Sequence, residues 1–290
     1  MSLSRRARRI GLPALPAAVL AAALIAIAPG ATPAGASAST ATVSAGGPAK
    51  PVIVLEHGAW ADASSWSSVI SQLQRSGFTV YAPPNPLRGL PQDSAYLHQF
   101  LTQNAAIQGK PVVLVGHSYG GAVITNAAVG VPAVKALVYV DAFIPDQGDT
   151  IGHLAAAVSG SCLGSPADDF DPVPYPGAPA GDVDLYIKQD LVPGCFATGV
   201  PASEAAVIAA TQRPLTASAF GEPSGPPAWK TIPSWAVIGT ADRVIPPAEL
   251  TIMAKRAGAR ITDVSAGHLS LITAPSVVTR VILQAVQATR

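Results

Sequence analysis

Val112-Val113-Leu114-Val115-Gly116-His117-Ser118-Tyr119-Gly120-Gly121 is the stretch that decides the fold. From Pro111 to Val115 the residues form a short apolar run rich in β-branched side chains, the pattern of a buried strand. Ala122 to Val129 are small or apolar and suit a helix that stops near Gly130. Between them stands G-x-S-x-G, a sharp strand-to-helix turn called a nucleophile elbow. Its glycines let the backbone turn tightly, its serine stands exposed, and the helix N-terminus aims free N–H groups at a reacting oxygen. Ser118 is therefore the candidate nucleophile, against the plainer reading of a Gly-rich turn with a bystander serine.

Outward from the elbow, strand and helix patterns alternate. Strands are expected at Val52–Leu55, Phe78–Tyr81, Ala136–Val140, Ser234–Ile238 and Arg260–Val264. Helices are expected at about 64–76, 93–107, 247–257 and 275–288. This alternation predicts an α/β fold, a doubly wound and mostly parallel sheet covered on both faces. From about Phe143 to Trp229 the rhythm breaks into Pro-, Gly- and Asp-rich sequence, with helical patterns near 182–189 and 203–210. An insertion of that length between core strands reads as a cap over the strand C-termini, where open α/β sheets bind ligands.

Arg5, Arg6, Arg8 and Arg9, then the apolar run Leu12–Ala28 and the small residues Ala36-Ser37-Ala38, read as a signal peptide over residues 1–38. A flexible tether over 39–50 would follow, then one α/β domain over 51–290. The expectation is an exported protein with no stable membrane anchor after cleavage, against an uncleaved anchor. The chain has 18 Lys+Arg and 17 Asp+Glu. Loss of the four leader arginines leaves 14 basic against 17 acidic groups, a formal charge of −3. With no basic block, nucleic-acid binding has no electrostatic support. The two cysteines, Cys162 and Cys195, lie in the insertion and are expected to pair in an oxidising compartment. Neither has the neighbours of a metal or redox site.

A serine hydroxyl needs a base within hydrogen-bond reach, and that base needs a carboxylate to orient it. After this elbow the expected chain order is Ser, Asp, His. His268 follows the last strand in Ser265-Ala266-Gly267-His268 and is the expected base. The acid has two candidates at strand ends, Asp242 and Asp141, of which Asp242 is favoured because its loop directly precedes that of the histidine. For the oxyanion, one N–H should come from Tyr119 and a second from Ala59, with Trp60 the alternative. Trp60 and Phe143 are candidate substrate-pocket residues, and Leu154, Phe170, Tyr175, Tyr186, Phe196 and Trp229 offer further cap side chains.

Together, His57-Gly58-Ala59-Trp60, Gly116–Gly121, Gly239-Thr240-Ala241-Asp242 and Gly267-His268 resemble the α/β-hydrolase superfamily across residues 51 to 290. The chain most resembles the branch of small methyl-ester esterases, hydroxynitrile lyases and their bacterial relatives. That resemblance implies hydrolysis of small carboxylic esters through an acyl-serine intermediate, with neither metal nor organic cofactor. Lyases of the branch carry lysine after the catalytic histidine and threonine at the position of Gly58. Leu269 and Gly58 therefore favour the esterase. A lactonase, an amidase or a cofactor-free perhydrolase would share the triad, and a non-catalytic binding protein on the same fold is the reading from another class.

Overall fold

Apolar runs too continuous for simple alternation become strands buried on both faces. The computed structural model describes residues 50–179 and 181–289, so the expected leader and nearly all of the tether lie outside the described residues. Its strands are β1 (Val52–Glu56), β2 (Val80–Tyr81), β3 (Val112–His117), β4 (Val134–Val140), β5 (Phe170–Val173), β6 (Asp184–Ile187), β7 (Leu215–Thr216), β8 (Ser234–Gly239) and β9 (Arg260–Val264). The helices are α1 (Ser67–Arg75), α2 (Leu90–Gln103), α3 (Tyr119–Ala127), α4 (Ile151–Ala157), α5 (Pro166–Asp169), α6 (Ala202–Ala210), α7 (Pro247–Arg256), α8 (Ser270–Thr273) and α9 (Pro275–Gln287).

Six strands form one parallel sheet in the order β2-β1-β3-β4-β8-β9. Every residue of β1, β3 and β8 is buried, which requires cover on both faces of the sheet centre. α1 and α9 pack together, with α9 against β3, β4 and β8, while α2 pairs with α3 over β3. This is the expected doubly wound architecture. Because neighbouring strands run parallel, all their C-terminal ends meet on one edge, so loops distant in sequence converge there.

Local differences have local causes. α2 begins at Leu90 rather than Asp93, because the Asp93 carboxylate accepts the N–H groups of Arg88 (3.0 Å) and Gly89 (3.3 Å) and so caps the helix from within its first turn. The second strand keeps only Val80 and Tyr81, since Phe78 donates its N–H to Leu73 at the end of α1. The helical pattern near 182–189 is overturned. Asp184–Ile187 is strand β6, paired antiparallel with β5 and β7, and those cross-strand partners outweigh the weak local helical preference.

β5, β6 and β7 thus make a second, three-stranded sheet within the segment between β4 and β8. Cys162 and Cys195 of that segment are joined by a disulfide, with Cα atoms 5.9 Å apart and 33 residues of separation. The bridge abuts the loop after β8. The Cys162 N–H donates to Arg243 O (2.7 Å), Ser161 Oγ donates to Val244 O (2.8 Å), and the Arg243 guanidinium donates to Gly194 O (2.8 Å). Closing a loop of this length restricts the unfolded chain by an amount worth about 3–4 kcal/mol. Replacing both cysteines by serine should lower unfolding stability by about 3 kcal/mol, read as a lower denaturant midpoint with a steeper slope, because the unfolded chain is no longer cross-linked.

Candidate active site

Ser118 sits between β3 and α3 with φ 53° and ψ −125°, a conformation that side-chain-bearing residues rarely adopt. The turn is tight enough that a Cβ on Gly116 would lie 2.5 Å from Gly120 O. Only hydrogen fits there, which is why the motif needs glycine on this side of the serine. The strain is held by the ladder around it: Ser118 N–H donates to Val140 O (3.2 Å), and Ser118 O accepts from Gly121 and Phe143.

From the ends of three strands, three side chains converge into one hydrogen-bonded chain. Ser118 Oγ lies 2.9 Å from His268 Nε2, and His268 Nδ1 lies 2.8 Å from Asp242 Oδ2. Asp242 Oδ1 accepts from the N–H groups of Val244 (2.8 Å) and Ile245 (3.0 Å), which leaves Oδ2 to face the imidazole. All three residues are buried. Burial pulls the His268 pKa down, and the charge and hydrogen bond of Asp242 more than offset this, so the net shift is upward.

Asp141, the rival carboxylate, is fully buried but turned elsewhere. Its Oδ1 accepts Gly239 N–H at 2.7 Å, and its Oδ2 accepts the Ser270 hydroxyl and, at 3.3 Å, the Ser270 N–H. Burial first, and then the Asp242 charge, push its pKa up to about 7.

The two expected oxyanion donors lie in the turns after neighbouring strands β3 and β1. The Tyr119 N–H is the first of α3 and has no partner within the helix. The Ala59 N–H, in the loop after β1, makes no hydrogen bond among the described residues. Trp60 N–H is already committed to Arg213 O (2.9 Å), which separates the two candidates of that loop. Gly58 allows the close approach: a Cβ there would stand 2.7 Å from Ser118 Cβ and 2.8 Å from His117 O.

Several supporting residues carried no sequence signal of this role. Asn85 N–H donates to His57 Nε2 (2.9 Å), so the proton of His57 lies on Nδ1, which donates to Gly58 O (2.9 Å). Asn85 Nδ2 also donates to His57 O (3.0 Å), fastening the Ala59 loop from behind. Burial lowers the His57 pKa to about 4, so the ring stays neutral. His117 donates from Nε2 to the carbonyl of His268 (3.0 Å) and holds the base loop from the elbow side. Tyr119 Oη donates to Asp93 (2.8 Å), which ties the elbow helix to α2.

A small cavity of about 30 Å³ opens on Ser118, lined by Trp60, Phe143, Ile151, Leu163, Phe170 and Phe220 among others. The expected pocket residues Trp60 and Phe143 are therefore both in its wall. Trp60 is pinned through its indole N–H to Leu185 O (2.8 Å) and stacks on Phe170 at 5.3 Å. Of the other cap side chains, Phe170 lines the cavity, Phe196 packs on the His268 ring (5.5 Å), and Trp229 is tied to Pro145 O. Trp66 is core, edge-on to His117.

The sequence pattern of the alpha/beta hydrolase family matches residues 52–281, which carries every one of these side chains. The chain belongs to the alpha/beta hydrolase family. A carbendazim hydrolyzing esterase of Nocardioides sp. (strain SG-4G) is 34% identical over 109 residues, 34% of this chain and 44% of that protein. The match thus spans less than half of that hydrolase's length. Among solved structures, an extracellular alpha/beta-hydrolase from a Paenibacillus species has a TM-score of 0.62 at 22% identity, over 81% of this chain and 98% of its own. A methylesterase from Arabidopsis has a TM-score of 0.63 at 16% identity, over 81% and 99%. At those identities the likeness is one of fold.

The geometry around His268 has a measurable consequence. Its imidazole should titrate above the ordinary value of about 6.5, and Asp242→Asn should lower the midpoint, followed by the ring Cε1–H resonance across pH. A wild-type midpoint below the ordinary value would contradict the pairing.

Proposed function

We propose that this hydrolase cleaves small, uncharged carboxylic esters through an acyl-serine intermediate. The observation that carries the reading is the unbroken chain from Ser118 Oγ through His268 to Asp242, at 2.9 and 2.8 Å. Ser118 Oγ bonds to the acyl carbon as its proton passes to His268 Nε2. The carbonyl electrons move to an oxyanion that the N–H groups of Ala59 and Tyr119 receive, each donor worth about 3–4 kcal/mol to the barrier. Asp242 holds the imidazole tautomer and stabilises the imidazolium. That imidazolium protonates the leaving alcohol as the ester C–O bond breaks. His268 then takes a proton from water, whose oxygen attacks the acyl-enzyme and releases the acid and Ser118.

The cavity supports the substrate class. Its walls are apolar and aromatic, so a charged acyl group would lose its hydration without a partner. The esterase named among the relatives and the methylesterase fold neighbour agree with an ester substrate. Export is inferred from the arginine-led apolar leader and fits the disulfide of the folded chain. The protein recovered outside the cell should begin after Ala38 on N-terminal sequencing, and an intact Met1 would refute cleavage.

Ser118→Ala should abolish both fluorophosphonate labelling and turnover of p-nitrophenyl acetate while leaving the circular dichroism spectrum unchanged. Undiminished turnover would sink the mechanism and return the fold to a binding role. In the same assay, wild-type rates should fall once the acyl chain exceeds about four carbons and be negligible for a hemisuccinate. A preference for long or anionic acyl groups would refute the pocket reading.

A further inference from the structure

Asp141 is a buried carboxylate at the edge of the site that the proposed reaction leaves unused. It follows β4 and holds φ at +45°, in the left-handed region that side-chain-bearing residues enter only when surroundings compel it. Its own N–H continues the β4–β8 ladder by donating to Val237 O (3.0 Å). The side chain then reaches in two directions. One oxygen takes the N–H of Gly239, the last residue of β8, three positions before Asp242. The other takes the hydroxyl and N–H of Ser270, two positions after His268. The two loops it joins are also in contact through Thr240 N–H to Val264 O (2.9 Å), through Ala241 N–H to Ala266 O (3.0 Å) and through the His268–Asp242 pair itself.

We infer that Asp141 is a positioning residue, a clamp that ties the start of the acid loop to the end of the base loop and so sets the separation of Asp242 from His268. This inference rests on the reading of Ser118, His268 and Asp242 as the reacting triad. A loop that carries the base tolerates little play, since misplacement of a reacting group by about 1 Å can cost on the order of 100-fold in rate. Without the carboxylate, Gly239 N–H and the Ser270 hydroxyl lose their shared acceptor, and no other side chain among the described residues bridges those two groups. The clamp never touches substrate. It acts through the geometry of the pair.

The test separates a clamp from a residue that merely supports the fold. Asp141→Ala should lower kcat by about 100-fold with KM changed by less than about threefold. Asp141→Asn keeps an acceptor for Gly239 and offers its amide to Ser270 Oγ, so it should recover most of that loss, to within about tenfold of wild type. The deciding readout is the double variant with Asp242→Asn. Once the acid can no longer orient the imidazole, removing the clamp should cost almost nothing further, because groups acting as a unit are non-additive. Losses that multiply would overturn the clamp in favour of general destabilisation, as would a wild-type kcat in folded Asp141→Ala. If Asp141→Ala does not fold, Ser270→Ala replaces it in the cycle, with the same non-additivity expected and multiplying losses again decisive against the clamp. A folded Asp141→Asn as slow as Asp141→Ala would also overturn it, because the carboxylate charge rather than the tie would then matter. Failure of the triad reading is distinct: it shows as turnover retained by Ser118→Ala, whereas failure of the clamp shows with Ser118 still essential.

Discussion

The backbone at Ser118 is held at a positive φ between a strand and a helix, and the rest of the site is arranged around that turn. A left-handed non-glycine residue costs on the order of 1–3 kcal/mol and survives only when its surroundings over-determine it. Here the surroundings are the centre of the parallel sheet. β3 lies between β1 and β4, and the serine backbone is held by Val140 O at the end of β4 and by the N–H groups of Gly121 and Phe143. Glycine at 116 and at 58 removes the atoms that would collide, so the first loop can approach within contact of the serine. The same approach that makes the turn possible also leaves the Ala59 and Tyr119 amides unpaired beside it.

Around the elbow, polar groups are deployed to hold loops rather than to react. His57 and Asn85 fasten the first loop, His117 holds the carbonyl of His268, and Asp93 anchors Tyr119. Each group is buried and each bond has a stated partner, so the site is rigid through satisfied hydrogen bonds in a low-dielectric interior. Two groups are exceptions: the Nδ1 of His117 and the carboxylate of Glu56 have no partner among the described residues. Glu56 is fully buried at the end of β1, and burial pushes its pKa well above the usual carboxylate range. The same loss of hydration disfavours an unpaired negative charge beneath the elbow.

The insertion does a different job. It builds most of the cavity wall and contributes the disulfide that leans on the acid loop. Trp60 is where core and insertion lock together, through its backbone to Arg213 and its indole to Leu185. The polar residues of the candidate site thus sit at strand ends, and the insertion supplies most of the apolar wall beside them.

The sequence by itself determined the elbow, the alternating strands and helices, and the strand-end loops holding Ser118, Asp242 and His268. Those features are local, written in β-branched runs, glycine spacing and residue order. It also marked the two cysteines as partners, because a lone pair in an insertion has few other uses. Loop order along the chain favoured Asp242 over Asp141, and tertiary structure added which carboxylate meets the imidazole. Both follow strands and both are buried, and the direction of each carboxylate, toward Nδ1 of His268 or toward Gly239 and Ser270, tells them apart. Tertiary structure alone excluded the Trp60 amide, whose acceptor at Arg213 is 153 positions away in the chain. It also turned the apparent helix near 182–189 into a strand, because β-pairing depends on partners far along the chain whereas helix bonds do not.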